Sequence, residues 1–299
     1  MESLRLRHAN SFTRMAKSEN FTKQYRLKAF FVFGLALLIL LNRLWAHALF
    51  SGMNHPLFLF RENEAAYRFF LQTHIPQTIT GYQLLSFVFD LLLFLIPVLF
   101  IINLRQSYAV VFSFLLLIYF FTYNLVTGHH YHGLVAAFLI TLPFWTKNEQ
   151  RFHLLWEAGR YYWLYIFASA ALWKIVRGSV FYSEQLSNIL KAQQLHLLLQ
   201  QPHSIHAQMV QYLIANPAVA HAVLIINVLV QLSFLIGFFT KKFDLLLFAL
   251  AIVFCLANYF VMSIVSAELL ILNLTLLNWE KLSVWVSVFF RRIPLEKKQ

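Results

Sequence analysis

An all-α, polytopic membrane bundle is the fold this sequence predicts, and three observations predict it. Of 299 residues, 60% are hydrophobic and only 12% charged, against about 45–50% and about 25% in an ordinary soluble domain. The apolar residues fall in stretches close to the roughly 20 residues that an α-helix needs to cross a bilayer. Lys and Arg concentrate in alternate connections between those stretches.

In chain order, the apolar stretches lie near residues 28–50, 80–104, 106–126, 130–146, 160–178, 217–239, 243–262 and 264–289. The first starts too far from the terminus, runs too long and lacks a small-residue cleavage pattern, so it is not read as a signal peptide. The fourth is short and carries Pro143, which suits a tilted or re-entrant segment. Eight spans divide the chain into a basic cytoplasmic segment 1–27, a transmembrane domain 28–289 and a basic cytoplasmic tail 290–299. Two long outer connections remain, 51–79 and 179–216. In the second, Leu186, Ile189, Leu190, Leu197 and Leu198 recur at helical spacing, which predicts an interfacial helix on the outer leaflet or closing over the bundle.

Composition narrows function by exclusion. One cysteine permits no intrachain disulfide, and few Gly and Pro (8 and 7) exclude low-complexity readings. The formal charge of +12 from 24 Lys plus Arg against 12 Asp plus Glu would suggest nucleic acid in a soluble chain. Counted by segment, however, 18 of the 24 cations, from Arg5 to Lys298, fall on the side of the termini. The exceptions are Arg43, Arg61, Arg68, Lys174, Arg177 and Lys191. The charge is therefore a topology signal with both termini cytoplasmic, and no nucleic-acid partner is expected. Ten of 12 histidines lie on the opposite side, where the positive-inside bias does not explain them, and this points to an outward-facing polar site.

Three polar features carry the candidate chemistry. The run Gly128-His129-His130-Tyr131-His132-Gly133 suits proton handling or hydrogen bonding. A metal site is not expected, because adjacent imidazoles diverge and the motif holds no carboxylate; a mononuclear site would have to borrow His203 or His206. Lys174, near the outer end of the fifth stretch, is either a snorkelling anchor like Arg177 or, facing the bundle, a candidate base. Asp90 and Glu268 fall inside apolar stretches, where acids are paired, neutral or functional, and Asn258 and Tyr259 are candidates to join them in binding a ligand.

The order of several motifs resembles the membrane domain of vitamin K-dependent gamma-carboxylase and its bacterial relatives, the horizontally transferred transmembrane (HTTM) family. These are Arg105-Gln-Ser, Thr127-Gly-His-His-Tyr-His-Gly133-Leu, Tyr165-Ile-Phe-Ala-Ser-Ala-Ala-Leu-Trp-Lys174-Ile, Gly237-Phe-Phe-Thr-Lys241 and Cys255-Leu-Ala-Asn258. The similarity runs from about residue 26 to 278. It implies that Lys174 is the base that deprotonates a reduced, vitamin K-like quinone, that the loop of His129, His130 and His132 supports it, and that the chain resides in a bacterial cytoplasmic membrane. Cys255 stands where the family has a histidine, and the chain shows no counterpart of the large lumenal region, so carboxylation of protein glutamates is not expected. A pocket for a quinone or another lipid, with proton abstraction as its chemistry, is the leading expectation. The alternative is a non-enzymatic component that anchors, chaperones or exports a membrane or exported protein partner through its outer loops. A transporter ranks below both, since the halves do not repeat.

Overall fold

The computed structural model describes the backbone of residues 2–53, 56–58, 65–127, 132–262 and 268–284, with side chains from residue 21 onward except 132–134. Among the described residues there are helices and no strands. Five segments of the described residues are long and apolar enough to cross a membrane: Phe21–Gly52, Gln83–Asn103, Gln106–Thr127, Pro217–Phe239 and Asp244–Met262, with Val135–Trp145 a shorter apolar helix. The chain is thus helical and of membrane type. It divides into two compact units, residues 1–156 with 278–299, and residues 157–277.

The first unit contains α1 (Glu2–Trp45), α2 (Ala65–Gln72), α3 (Ile75–Gly81), α4 (Gln83–Asn103), α5 (Gln106–Thr127), α6 (His132–Thr141) and the start of α7 (Glu149–Val176). The helix at 2–45 absorbs the basic segment 1–27 and the first apolar stretch together. α4 and α5 form a tight antiparallel hairpin: Leu104 takes left-handed φ (50°) and returns its N–H to Phe100 O at 2.7 Å. Phenylalanine, 32 of the 299 residues, builds this core. The Phe33 ring lies 4.3 Å from that of Phe100 and 5.3 Å from that of Phe144, and Phe152 stacks on Trp156. Such pairs add about 0.5–1.5 kcal/mol each beyond their buried area. Lys28, buried at 3%, places its ammonium 4.5 Å from the Trp156 ring centroid.

After α1 the chain turns through His47 (φ 52°) into a single 3-10 turn, Phe50–Gly52. Leu49, at the N-cap, has no side-chain acceptor to offer. Asp90 of α4 supplies one instead: its Oδ1 accepts from Phe50 N at 3.0 Å and its Oδ2 from Ser51 N at 2.9 Å. Alongside, Arg43 Nη1 donates to Tyr119 OH at 2.9 Å, and that hydroxyl donates to Ala48 O at 2.6 Å. Gly52 is fixed by space, because a Cβ there would lie 2.0 Å from the His47 carbonyl oxygen. Gly52→Ala is expected to lower stability by about 1–3 kcal/mol, read as the midpoint of thermal unfolding in detergent. Gly34→Ala, with nothing within 4 Å of its Cβ, should be neutral or stabilising.

The second unit begins at residue 157 of α7 and continues with α8 (Gln185–Gln193), α9 (Leu195–Gln200), α10 (Ile205–Ala215), α11 (Pro217–Ser233), α12 (Ile236–Phe239), α13 (Asp244–Met262) and α14 (Leu270–Asn273). α7 meets the end of α11 and α13 through Phe167, whose ring stacks 4.1 Å from that of Phe234 and meets that of Phe254 edge-on at 5.0 Å. The predicted interfacial helix is two helices that break at Gln194. It folds inward: Leu186 and Leu190 pack with Val210, Leu213, Ala220 and Leu224.

Two predicted spans take other forms. The fifth lies within α7, a helix that starts 11 residues earlier than 160 in polar sequence, at Glu149. The eighth, where described, is interrupted: α14 passes into a 3-10 turn Leu274–Leu276, Leu277 is extended, and residues 279–284 are helical again. Polar side chains cause the break. Asn273 spends its amide on Trp163 Nε1 and Phe248 O, and Asn278 Oδ1 accepts from Lys281 N at 3.1 Å, capping the new helix.

Candidate functional site

Lys174 sits in the last turn of α7, partly buried, and its Nζ donates to Gln231 Oε1 of α11 at 2.6 Å. Gln231 is 5% exposed. Four residues earlier on the same face of α11 is Asn227, whose Nδ2 donates to Asn258 Oδ1 of α13 at 3.4 Å. Among the described residues the Asn227 Oδ1 is buried with no hydrogen-bond partner. Exchange of its amide O and N would only change which atom is left over. No carboxylate of the described residues pairs with Lys174. One amine and three amides therefore converge without a charged counterpart.

These groups line a cavity of about 420 Å³, within the range of small-molecule sites. Leu186 and Ile189 of α8 cover it, Val223, Leu224 and Val230 of α11 form one wall, and Val253, Phe254, Ala257 and Val261 of α13 the other. Among its described lining residues the polar groups are the four already named. Such a cavity is complementary to an apolar body with one polar, hydrogen-bonding end. An amide oxygen without a donor favours a hydroxyl or amine on that end, because a buried acceptor left unpaired costs about 1–3 kcal/mol.

The predicted site residues distribute unevenly. Lys174 and Asn258 share the cavity. Tyr259, next in sequence, does not line it; it is 50% exposed and rests against Phe260, ring centroids 5.4 Å apart. Glu268 is buried at 4% in the turn before α14, outside the lining. Asp90 belongs to the first unit, where both its oxygens hold backbone N–H groups. His129 and His130 lie outside the described residues, and so does the side chain of His132, whose backbone opens α6. Cys255 is in the packed stripe Leu247, Ala251 and Cys255 of α13 and does not line the cavity. Arg177 lies over the Trp173 ring at 4.4 Å, an anchor-like placement. Among the described residues no three His, Cys, Asp or Glu side chains gather as metal ligands.

Sequence reading missed Gln231 and Asn227. Their signal was present: two amides four apart in an apolar helix lie on one face. It also missed a clamp midway along α7. There Arg160, 1% exposed, donates from Nε to Asp244 Oδ2 at 2.9 Å and from Nη2 to Asp244 Oδ1 at 2.6 Å and to Gly237 O at 2.9 Å. Lys241 and Glu157 form an exposed pair of the same two segments. This clamp fixes the α12–α13 corner to α7 and lines no described cavity.

Comparison with protein-family models, with curated proteins and with solved structures finds no match to the chain.

Proposed function

We propose that the chain is a multi-pass membrane protein of the HTTM type, like the membrane domain of gamma-carboxylase, and that the cavity beside Lys174 binds a reduced quinone or a related isoprenoid lipid. The observation that carries the reading is the Lys174 amine held at 2.6 Å by an uncharged amide in an apolar cavity. An amide oxygen accepts from an ammonium and from a neutral amine alike, so the pair tolerates both states of a proton acceptor. In this reading Lys174 takes the hydroxyl proton of the bound hydroquinone, while Asn227 and Asn258 orient its head and the apolar walls hold its ring and tail. The supporting role that the resemblance gives to His129, His130 and His132 rests on the sequence alone, since these side chains lie outside the described residues. The eight-span topology, with cytoplasmic termini in a bacterial cytoplasmic membrane, rests on the distribution of Lys and Arg.

The test is anaerobic titration of the purified full chain with a reduced naphthoquinone, following the red-shifted absorbance of the hydroquinone anion. Wild type should generate the anion. Lys174→Ala and Lys174→Arg should slow its formation by about 10²–10⁴-fold, and Asn258→Ala should weaken binding. Wild-type behaviour from both Lys174 variants would remove the base, and absence of binding to the wild type would remove the ligand.

A further inference from the structure

A second cavity, of about 740 Å³, lies wholly in the first unit, at the ends of two helices that are apolar enough to cross a membrane. Its lining joins Thr22 and Arg26 near the start of the Phe21–Gly52 segment to Asn103 at the end of α4 and to Lys147 just before α7. Between them stand apolar side chains that are themselves open to the surroundings, with Phe30 59% and Ile102 70% exposed. No carboxylate is among the described lining residues, and Arg26 and Lys147 are both exposed. The C-terminal end of α4 brings roughly half a negative charge to the same place, which two full positive charges outweigh. Lys23, Lys28, Arg105 and Arg151 stand in the same terminal turns and links, with two acids close in sequence, Glu149 in the first turn of α7 and Glu19 in α1 just before Phe21.

We infer that this cavity is a binding site for an anionic glycerophospholipid, with the phosphate between Arg26 and Lys147 and an acyl chain along Phe30 and Ile102. Each half of the lining excludes a simpler occupant. A free inorganic anion would leave Phe30 and Ile102 unused, and a zwitterionic lipid would bring the ammonium of its headgroup against two cations. The depth agrees as well, since a cavity at the ends of membrane-length helices lies at the level of lipid headgroups. The site is independent of the cavity beside Lys174, which belongs to the other unit.

Native mass spectrometry of the full chain, released from detergent containing dioleoylphosphatidylglycerol or dioleoylphosphatidylcholine, tests it. Wild type should retain the phosphatidylglycerol preferentially. Arg26→Gln with Lys147→Gln should weaken that retention by about 30-fold, the sum expected for two cations at a membrane surface. The charge-keeping pair Arg26→Lys with Lys147→Arg should stay within about threefold of wild type, which separates loss of the site from loss of the fold. Lys191→Gln with Lys242→Gln removes the same charge elsewhere and should leave retention unchanged. Equal loss in that control, no loss in the Gln pair, or equal retention of the two lipids would overturn the inference. So would competition by inorganic phosphate or by a soluble oligoglutamate as strong as by the lipid.

Discussion

Asp244→Ala is expected to lower the free energy of unfolding by about 3–5 kcal/mol. The Arg160 guanidinium that it strands is 1% exposed and is already short of one acceptor, since Nη1 has none among the described residues. Gly237 O remains as a single neutral partner for Nη2. Loss of Asp244 also removes an acid from the first turn of α13, where the helix dipole favours it. Replacing both partners, Arg160→Met with Asp244→Leu, should recover most of the loss, because two apolar side chains leave no buried charge behind. Titration with dodecyl sulfate in mixed micelles, with helicity as the signal, reads both variants. A double variant as unstable as the single one would show that the corner needs the ion pair itself.

Asp90→Ala should cost about 3 kcal/mol, from two charge-assisted bonds to the N–H groups of Phe50 and Ser51. Phe50 is fully buried, so its amide finds no water in exchange. Asp90→Asn keeps one acceptor oxygen and is expected to lose roughly half as much. Amide hydrogen exchange supplies the local readout, since the Phe50 and Ser51 protons should exchange faster in the Ala variant than those of α5, whose bonds are untouched. Uniform acceleration across the first unit would instead mean that Asp90 holds the whole unit rather than its corner.

The helical membrane fold was legible because hydropathy and length decide it locally: each long apolar run needs its own backbone bonds, whatever it packs against. Periodicity also placed Leu186, Ile189 and Leu190 on one face of α8. The break at Gln194 was not legible, since both halves continue the same apolar spacing. The eleven-residue polar lead of α7 is hidden by the reverse effect, because Glu149 to Gly159 carry charges that hydropathy counts against a span while their helical propensity is high. At the site, Lys174 stood out because a charge in an apolar stretch demands a reason. Asn227 and Gln231 did not, although their spacing places them on one face, because neutral amides carry no such penalty. Asp90 stands out by its charge, which suggests a ligand, yet its partners are the backbone N–H groups of Phe50 and Ser51, which no side-chain pattern reveals. Arg160 and Asp244 stand 84 residues apart, and only the fold joins them.

Ile226 and Val253 line the cavity beside Lys174 and are still 60% and 61% exposed. In a helix that crosses a bilayer such side chains face acyl chains, so the proposed ligand would arrive sideways from the lipid rather than from water. Its occupancy is then governed by mole fraction in the membrane. A hydrophobic molecule scarce in the aqueous phase is concentrated in the bilayer before it meets the protein, and a modest intrinsic affinity suffices to fill the cavity. Affinities for this protein should accordingly be compared at fixed lipid-to-protein ratio, since adding empty vesicles dilutes the ligand without changing a single contact.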